Sequence, residues 1–256
     1  MAKTNNLTDF LTSLAAKFRA KLGTSVTINP QDFESKVDDV FDAGKKSEYD
    51  AFWDAYQSNG TRTDYYNAFA GKGWTQTNLK PKYVARPSEA RGMFASNTAI
   101  TDLTLTGKFD FSAVTAITDC MAWSSVTKVP SINLSNARSS PNAIAKAKSL
   151  VTVENLIFPT SPFAVNISEF FYLCYALENI TITGTIQNTG FDLHWSTKLT
   201  VESLTSILTA LSKNSSVAAG KSITFPTAAQ AKIQADTTAK GQYDAAIAAG
   251  WTIAFS

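Results

Sequence analysis

One histidine and two cysteines in 256 residues leave little room for several kinds of chemistry. A lone His194 excludes a His-rich metal site and argues against a histidine-based active centre. Cys120 and Cys174 are too few for a disulfide framework and too few for a zinc site. Charge is scarce as well: 17% of residues are charged and the net charge is +2, with no basic cluster. Such a chain has no field to attract nucleic acid. No run of 18 apolar residues occurs, so no membrane span is expected. In MAKTNNLTDFLTSLAAKF, Asp9, Thr12, Ser13 and Lys17 interrupt the apolar core that a signal peptide needs. Synthesis in a cytoplasm without signal-dependent export is the expectation, and two free cysteines fit it.

Hydroxyls are what the chain has in quantity, with 56 Ser and Thr residues, alongside 44% hydrophobic residues. That hydrophobic content excludes intrinsic disorder, and the length suits one large domain or two small ones. Residues 1–45 read as a helical hairpin. Leu7, Phe10, Leu11, Leu14, Phe18 and Leu22 recur at helical spacing between a cap at Asn6 and a stop at Gly23. A second helix starts at Asn29-Pro30 and carries Phe33, Val37, Val40 and Phe41 to Gly44. Two such helices cannot bury both stripes alone, so this segment is expected to attach or oligomerise.

Residues 46–89 are aromatic-rich. Ser47 and Asp50 suggest a helix start, Asn59-Gly60 ends that helix, and Tyr65, Tyr66 and Phe69 suggest another short helix ending at Gly71. Two readings of this stretch stand side by side. It is a compact cap, or Trp53, Tyr56, Tyr65, Tyr66 and Trp74 form a ligand platform for sugars or quaternary amines.

From residue 90 the pattern repeats. Apolar pairs Leu103/Leu105, Ile132/Leu134, Leu156/Phe158 and Ile180/Ile182 lie 29, 24 and 24 residues apart. Each places two side chains on one face of a strand. Anchors Ile100, Val126, Leu150 and Leu177 precede them, and Phe94, Met121, Ile144 and Phe171 precede those. A period of 24–29 residues lies in the leucine-rich-repeat range, where one unit cannot bury its own face and neighbours must stack. Residues 200–256 then read as two longer helix–strand units: a helix capped by Thr200, strand 222–225, a helix from Pro226 to Gly250, and a strand from Trp251 to Phe255. The fold class expected is α+β: a helical N-terminal module, an irregular leucine-rich-repeat-like solenoid over 90–199, and a helix–strand cap over 200–256.

At LAAKFRAKLGTSVTINPQDFESKV, SEYDAFWDAYQSNGTRTDYYNAFAGKGWT, CYALENITITGTI, FDLHWSTKLTVESLTSILTALS and the closing GWTIAF, the chain resembles leucine-rich-repeat-like structural proteins of phages and prophages of gut bacteria, a family related to irregular surface leucine-rich-repeat proteins of bacteria. The resemblance covers most of the chain. Residues 135–170 depart most, since NARSSPNAIAKAKSL lacks the usual aromatic before its strand, which leaves the number of turns there open. What the resemblance implies is a tail- or head-associated virion protein. Its N-terminal module would bind other virion proteins, and its solenoid would meet a host cell-surface protein or glycan. No catalytic residue and no cofactor is implied.

Asp192, His194 and Ser196 invite a triad reading, but a strand would hold all three at backbone spacing with no turn to present a nucleophile, and G-x-S-x-G is absent. Asp50/Asp54 and Asp38/Asp39 read as solvated helix faces rather than a carboxylate pair. Lys72 between Gly71 and Gly73 does not match the phosphate-loop spacing. The expected function is therefore a non-enzymatic, oligomeric virion protein without metal, nucleic-acid or membrane-insertion chemistry. A prophage-encoded surface adhesin and a tail polysaccharide depolymerase are the alternatives.

Overall fold

The computed structural model describes residues 16–17, 19–20, 50–71, 73–77, 79–105, 107–138, 140–159, 166–187, 191, 193–214 and 221–256. They form a mixed α/β arrangement of helices and small sheets. The chain divides into two compact units, Met1–Asn59 and Gly60–Ser256. The aromatic-rich stretch expected as one segment, 46–89, is therefore parted at Asn59.

In the first unit, residues 16–17, 19–20 and 50–56 are helical. The stripe residues Leu7, Phe10, Leu11, Leu14, Phe18, Leu22, Phe33, Val37 and Phe41 lie outside the described residues. Helix 50–56 buries Trp53, and the rings of Phe52 and Tyr56 meet it edge-on with centroids at 5.3 and 5.7 Å. The helix gives way where Ser58, Asn59 and Gly60 take φ of 48°, 52° and 87°, since left-handed residues stop a helix.

The second unit is built on parallel pairing. Strands β1 (Lys128–Val129) and β2 (Ile132–Asn133) line one side of β3 (Thr152–Ile157), and β4 (Asn179–Thr183) lines the other. β1 and β2 are separated at Pro130, which has no N–H to give the ladder. The β3–β4 register shifts between Val153 and Leu156, a bulge that takes up an extra residue. Upstream, parallel bridges Asp64–Glu89, Ala85–Phe109, Glu89–Ala116, Asp102–Lys128 and Phe111–Ile132 continue the pattern. All but Phe111–Ile132, which is shorter, join residues at the period of 24–29 read from the apolar pairs. Among the described residues the pairing starts at Asp64, upstream of the boundary expected at residue 90.

Apolar columns fill the interior. Ile100, Val126, Leu150 and Leu177 are fully buried, as are Phe94, Met121, Ile144 and Phe171. Ile144 thus takes the buried place held by Phe94, Met121 and Phe171 in the other stretches, so the missing aromatic does not open the column there. One expected strand pair splits: Leu103 is buried but Leu105 is exposed. The cause is Asp102, whose Oδ1 accepts from Thr104 N–H at 2.8 Å and Thr104 Oγ1–H at 2.6 Å. That local turn ends the extended run before Leu105.

The C-terminal part begins with α1 (Val201–Ser212), capped by Thr200, whose hydroxyl accepts from Ser203 N–H at 3.3 Å. α1 buries Leu204, Ile207, Leu208 and Leu211. Strand β5 (Ser222–Phe225) pairs in parallel with β6 (Thr252–Phe255). Between them the sequence suggests one helix from Pro226 to Gly250, but there are two, α2 (Thr227–Ala235) and α3 (Thr237–Ala248). Asp236 breaks them apart with an extended backbone and accepts Ala239 N–H at 2.8 Å. A short carboxylate is worth more as a cap than inside a helix.

Candidate functional site: a groove on the stacked turns

The turns ahead of the strands stack on one another, at 91–96, 118–123, 141–146 and 168–173. Their backbone N–H groups alternate between two tasks. One set closes the turn: Met93 donates to Ala90 O, Ala95 to Gly92 O and Asn97 to Phe94 O. The other set reaches the next turn: Gly92 donates to Thr118 O, Phe94 to Cys120 O and Ser96 to Ala122 O. The second set recurs from Asn67 to Arg91 O, Phe69 to Met93 O, Met121 to Ala143 O, Trp123 to Ala145 O, Ile144 to Phe170 O and Lys146 to Tyr172 O. This replaces the short helix expected over Tyr65–Phe69, because the N–H groups that would close a helix are spent on the neighbouring stretch.

The alternation requires a left-handed residue at two places in each turn. Asn67/Gly71, Gly92/Ser96, Asp119/Trp123, Asn142/Lys146 and Glu169/Leu173 all have φ between 49° and 69°. Only Gly71 and Gly92 are glycine; Asn67, Asp119 and Asn142 tolerate the conformation, while Ser96, Trp123, Lys146, Glu169 and Leu173 each cost about 1–2 kcal/mol, which the ladder offsets. None of the eight non-glycine side chains is buried. The left-handed positions therefore supply an outward row.

Across the first three turns this row frames a groove of ≈ 480 Å³ lined by Tyr66, Asn67, Arg91, Thr118, Asp119 and Trp123. Gly92 lines it too, where an added Cβ would sit 1.9 Å from Asn67 Oδ1 and displace that amide from the groove wall. Tyr66 is 57% and Trp123 56% exposed. The Arg91 guanidinium lies 5.5 Å from the Tyr66 ring centroid and pairs with Glu89 at 2.8 Å. That hydrogen bond and the Glu89 charge raise the Arg91 pKa. Burial pushes the Asp119 carboxyl above its ordinary value, with the Lys146 charge opposing. Beyond the groove, Lys146 Nζ sits 4.4 Å from the Trp123 ring centroid and 5.8 Å from that of Tyr172. Tyr172 meets Trp195 at 6.3 Å, and Tyr175 meets Trp195 at 5.6 Å. The strip of rings and cations thus runs on across the later turns.

Of the five aromatics predicted as a platform, Tyr66 lines the groove. Tyr65 is buried against Phe69, and Trp74 is half-buried, edge-on to Phe69 at 5.2 Å. Trp53 and Tyr56 belong to the first unit. Ser196 is buried and donates to Cys174 O at 3.3 Å, while His194 Nδ1 lies against Ser256 Oγ; Asp192 lies outside the described residues. Asp50 and Asp54 are half-buried on helix 50–56, and Asp38 and Asp39 lie outside the described residues. Cys120 is buried, which drives its thiol pKa up, and Cys174 Sγ donates to Ile144 O at 3.3 Å. Both sulfurs fill the interior. Arg91, Asp119 and Trp123 escaped the sequence reading. Their signal was register: Trp123 stands two places after buried Met121, as Ser96 does after Phe94 and Lys146 after Ile144.

Compared with known proteins, the chain matches no family model, no curated protein and no solved structure. Among the described residues, no helix is long and apolar enough to cross a membrane.

Proposed function

We propose that this chain is a non-enzymatic structural protein of a phage virion, a tail- or head-associated fibre or decoration protein. In this reading, the second unit is a leucine-rich-repeat-like solenoid that displays a binding surface to the host cell. The observation that carries the reading is the ladder of left-handed turns, in which each stretch bonds to the next and turns an outward row toward solvent. Stacked units of this kind bury a continuous core between neighbours and leave a fixed, extended face for recognition. The segment α1 to β6 serves as the terminal cap that such a stack needs. The virion setting rests on the resemblance described above. Attachment rests on the apolar stripes of residues 1–45, whose partners would be other virion proteins or further copies of the chain.

The test is the composition of purified particles. Mass spectrometry and antibody-labelled electron microscopy of virions should find the chain as a regular component at one site on tail or head. Recovery from washed bacterial cells but never from particles would sink the virion reading and favour a prophage-encoded adhesin.

A further inference from the structure

We infer that the groove framed by Tyr66, Arg91 and Trp123 is a binding site for an extended, uncharged oligosaccharide. The inference deepens the display reading and rests on it for its setting. A single exposed aromatic needs no explanation, but two that frame a cleft with polar groups between them are the pattern of a site. Asn67, Thr118 and Asp119 line the space between Tyr66 and Trp123. An amide, a hydroxyl and a carboxylate together offer donors and acceptors to a run of sugar hydroxyls. The electron-rich ring faces suit the C–H face of a pyranose.

Charge points the same way. Arg91 is matched by Glu89, and Asp119 has Lys146 near it. The groove therefore has no net field that would favour a polyanion. Length completes the argument. Parallel neighbours stand about 4.8 Å apart, so the strip from Tyr66 through Lys146 and Tyr172 to Trp195 extends roughly 25 Å. That span suits a chain of several sugar units rather than one.

The experiment uses the full chain on an array of oligosaccharides from bacterial capsules and lipopolysaccharide O-chains, followed by titration calorimetry on the strongest hit. Retention of at least one uncharged glycan is expected. Trp123→Ala and the conservative Asp119→Asn should each weaken it tenfold or more with thermal unfolding still cooperative, and Leu105→Ala should leave it unchanged. Retention of no uncharged glycan, binding that survives both groove substitutions, or retention of polyanions alone at low salt would each overturn the proposal. A chain found in virions that binds no glycan sinks this inference alone. A chain that binds but is absent from virions sinks the virion reading alone.

Discussion

Asn97 is fully buried, and its amide is saturated. Nδ2 donates to Phe69 O at 3.0 Å and Trp74 O at 3.1 Å, while Oδ1 accepts from Ala99 N–H at 2.9 Å and Ile100 N–H at 2.8 Å. Asn97→Leu leaves those backbone groups unpaired in a dry place and should cost at least ~3 kcal/mol, read from urea unfolding. Hydroxyls do similar work nearer the surface. Thr115 Oγ1 donates to Ser88 O at 3.0 Å, and Thr127 Oγ1 to Thr101 O at 2.8 Å, so part of the Ser/Thr excess ties one stretch to the one before. Two carboxylates make opposite predictions about pH. Asp110 is held low by its Ser112 hydrogen bonds and by Arg86 at 3.1 Å, so it stabilises the fold at neutral pH and that contribution fades as pH falls through its depressed pKa. Asp119 is held high by burial, with Lys146 and Arg91 the nearby cations, so its contribution is present in acid and lost as pH rises through its raised pKa. Asp110→Asn should therefore lower, and Asp119→Asn raise, the melting temperature at neutral pH. Both differences should shrink in acid; same-sign shifts at neutral pH would contradict the assignment.

At the scale of elements, the ends of the parallel stack are finished with side chains. On one side, Gln76 Oε1 accepts from Thr101 N–H at 3.0 Å and Asp102 N–H at 2.9 Å, where later stretches use a backbone carbonyl. On the other, α1 lies along β4: Ile180 N–H donates to Ser203 Oγ at 2.9 Å and Ile182 N–H to Ser206 Oγ at 2.7 Å. Ser203 and Ser206 are three positions apart on a helix, and so face the strand together. Replacing both by Ala strips the strand edge of its acceptors and should cost about 2–4 kcal/mol, with earlier amide exchange at Ile180 and Ile182 than at Val153. Little of this finishing could be read beforehand. The apolar columns were legible because Ile100, Val126, Leu150 and Leu177 keep a period and chemistry alone fixes their burial. The left-handed turns were not, because Trp123, Glu169 and Leu173 carry no local preference for positive φ and adopt it only under the ladder. The groove was legible only in Tyr66, since its other walls lie in different stretches that register alone brings together.

For the whole molecule, two compact units and a stack held by neighbour-to-neighbour bonds imply separable tasks. A truncated chain starting at Gly60, where the second unit begins, should keep cooperative thermal unfolding and glycan retention while losing assembly on size-exclusion chromatography with light scattering. Unchanged assembly would remove the attachment role of residues 1–45. The alternating hydrogen bonds of the turns have one more consequence. From Asn67 to Lys146 each stretch offers its neighbour the same donors and acceptors, whereas the finishing groups Gln76, Ser203 and Ser206 stand at the ends. A gene duplication inserting one whole unit in the middle would therefore meet matching bonds on both sides and leave both ends as they are. The stack would then lengthen by about 4.8 Å per copy, so its extent can change by whole units while the surface of each stays as it is.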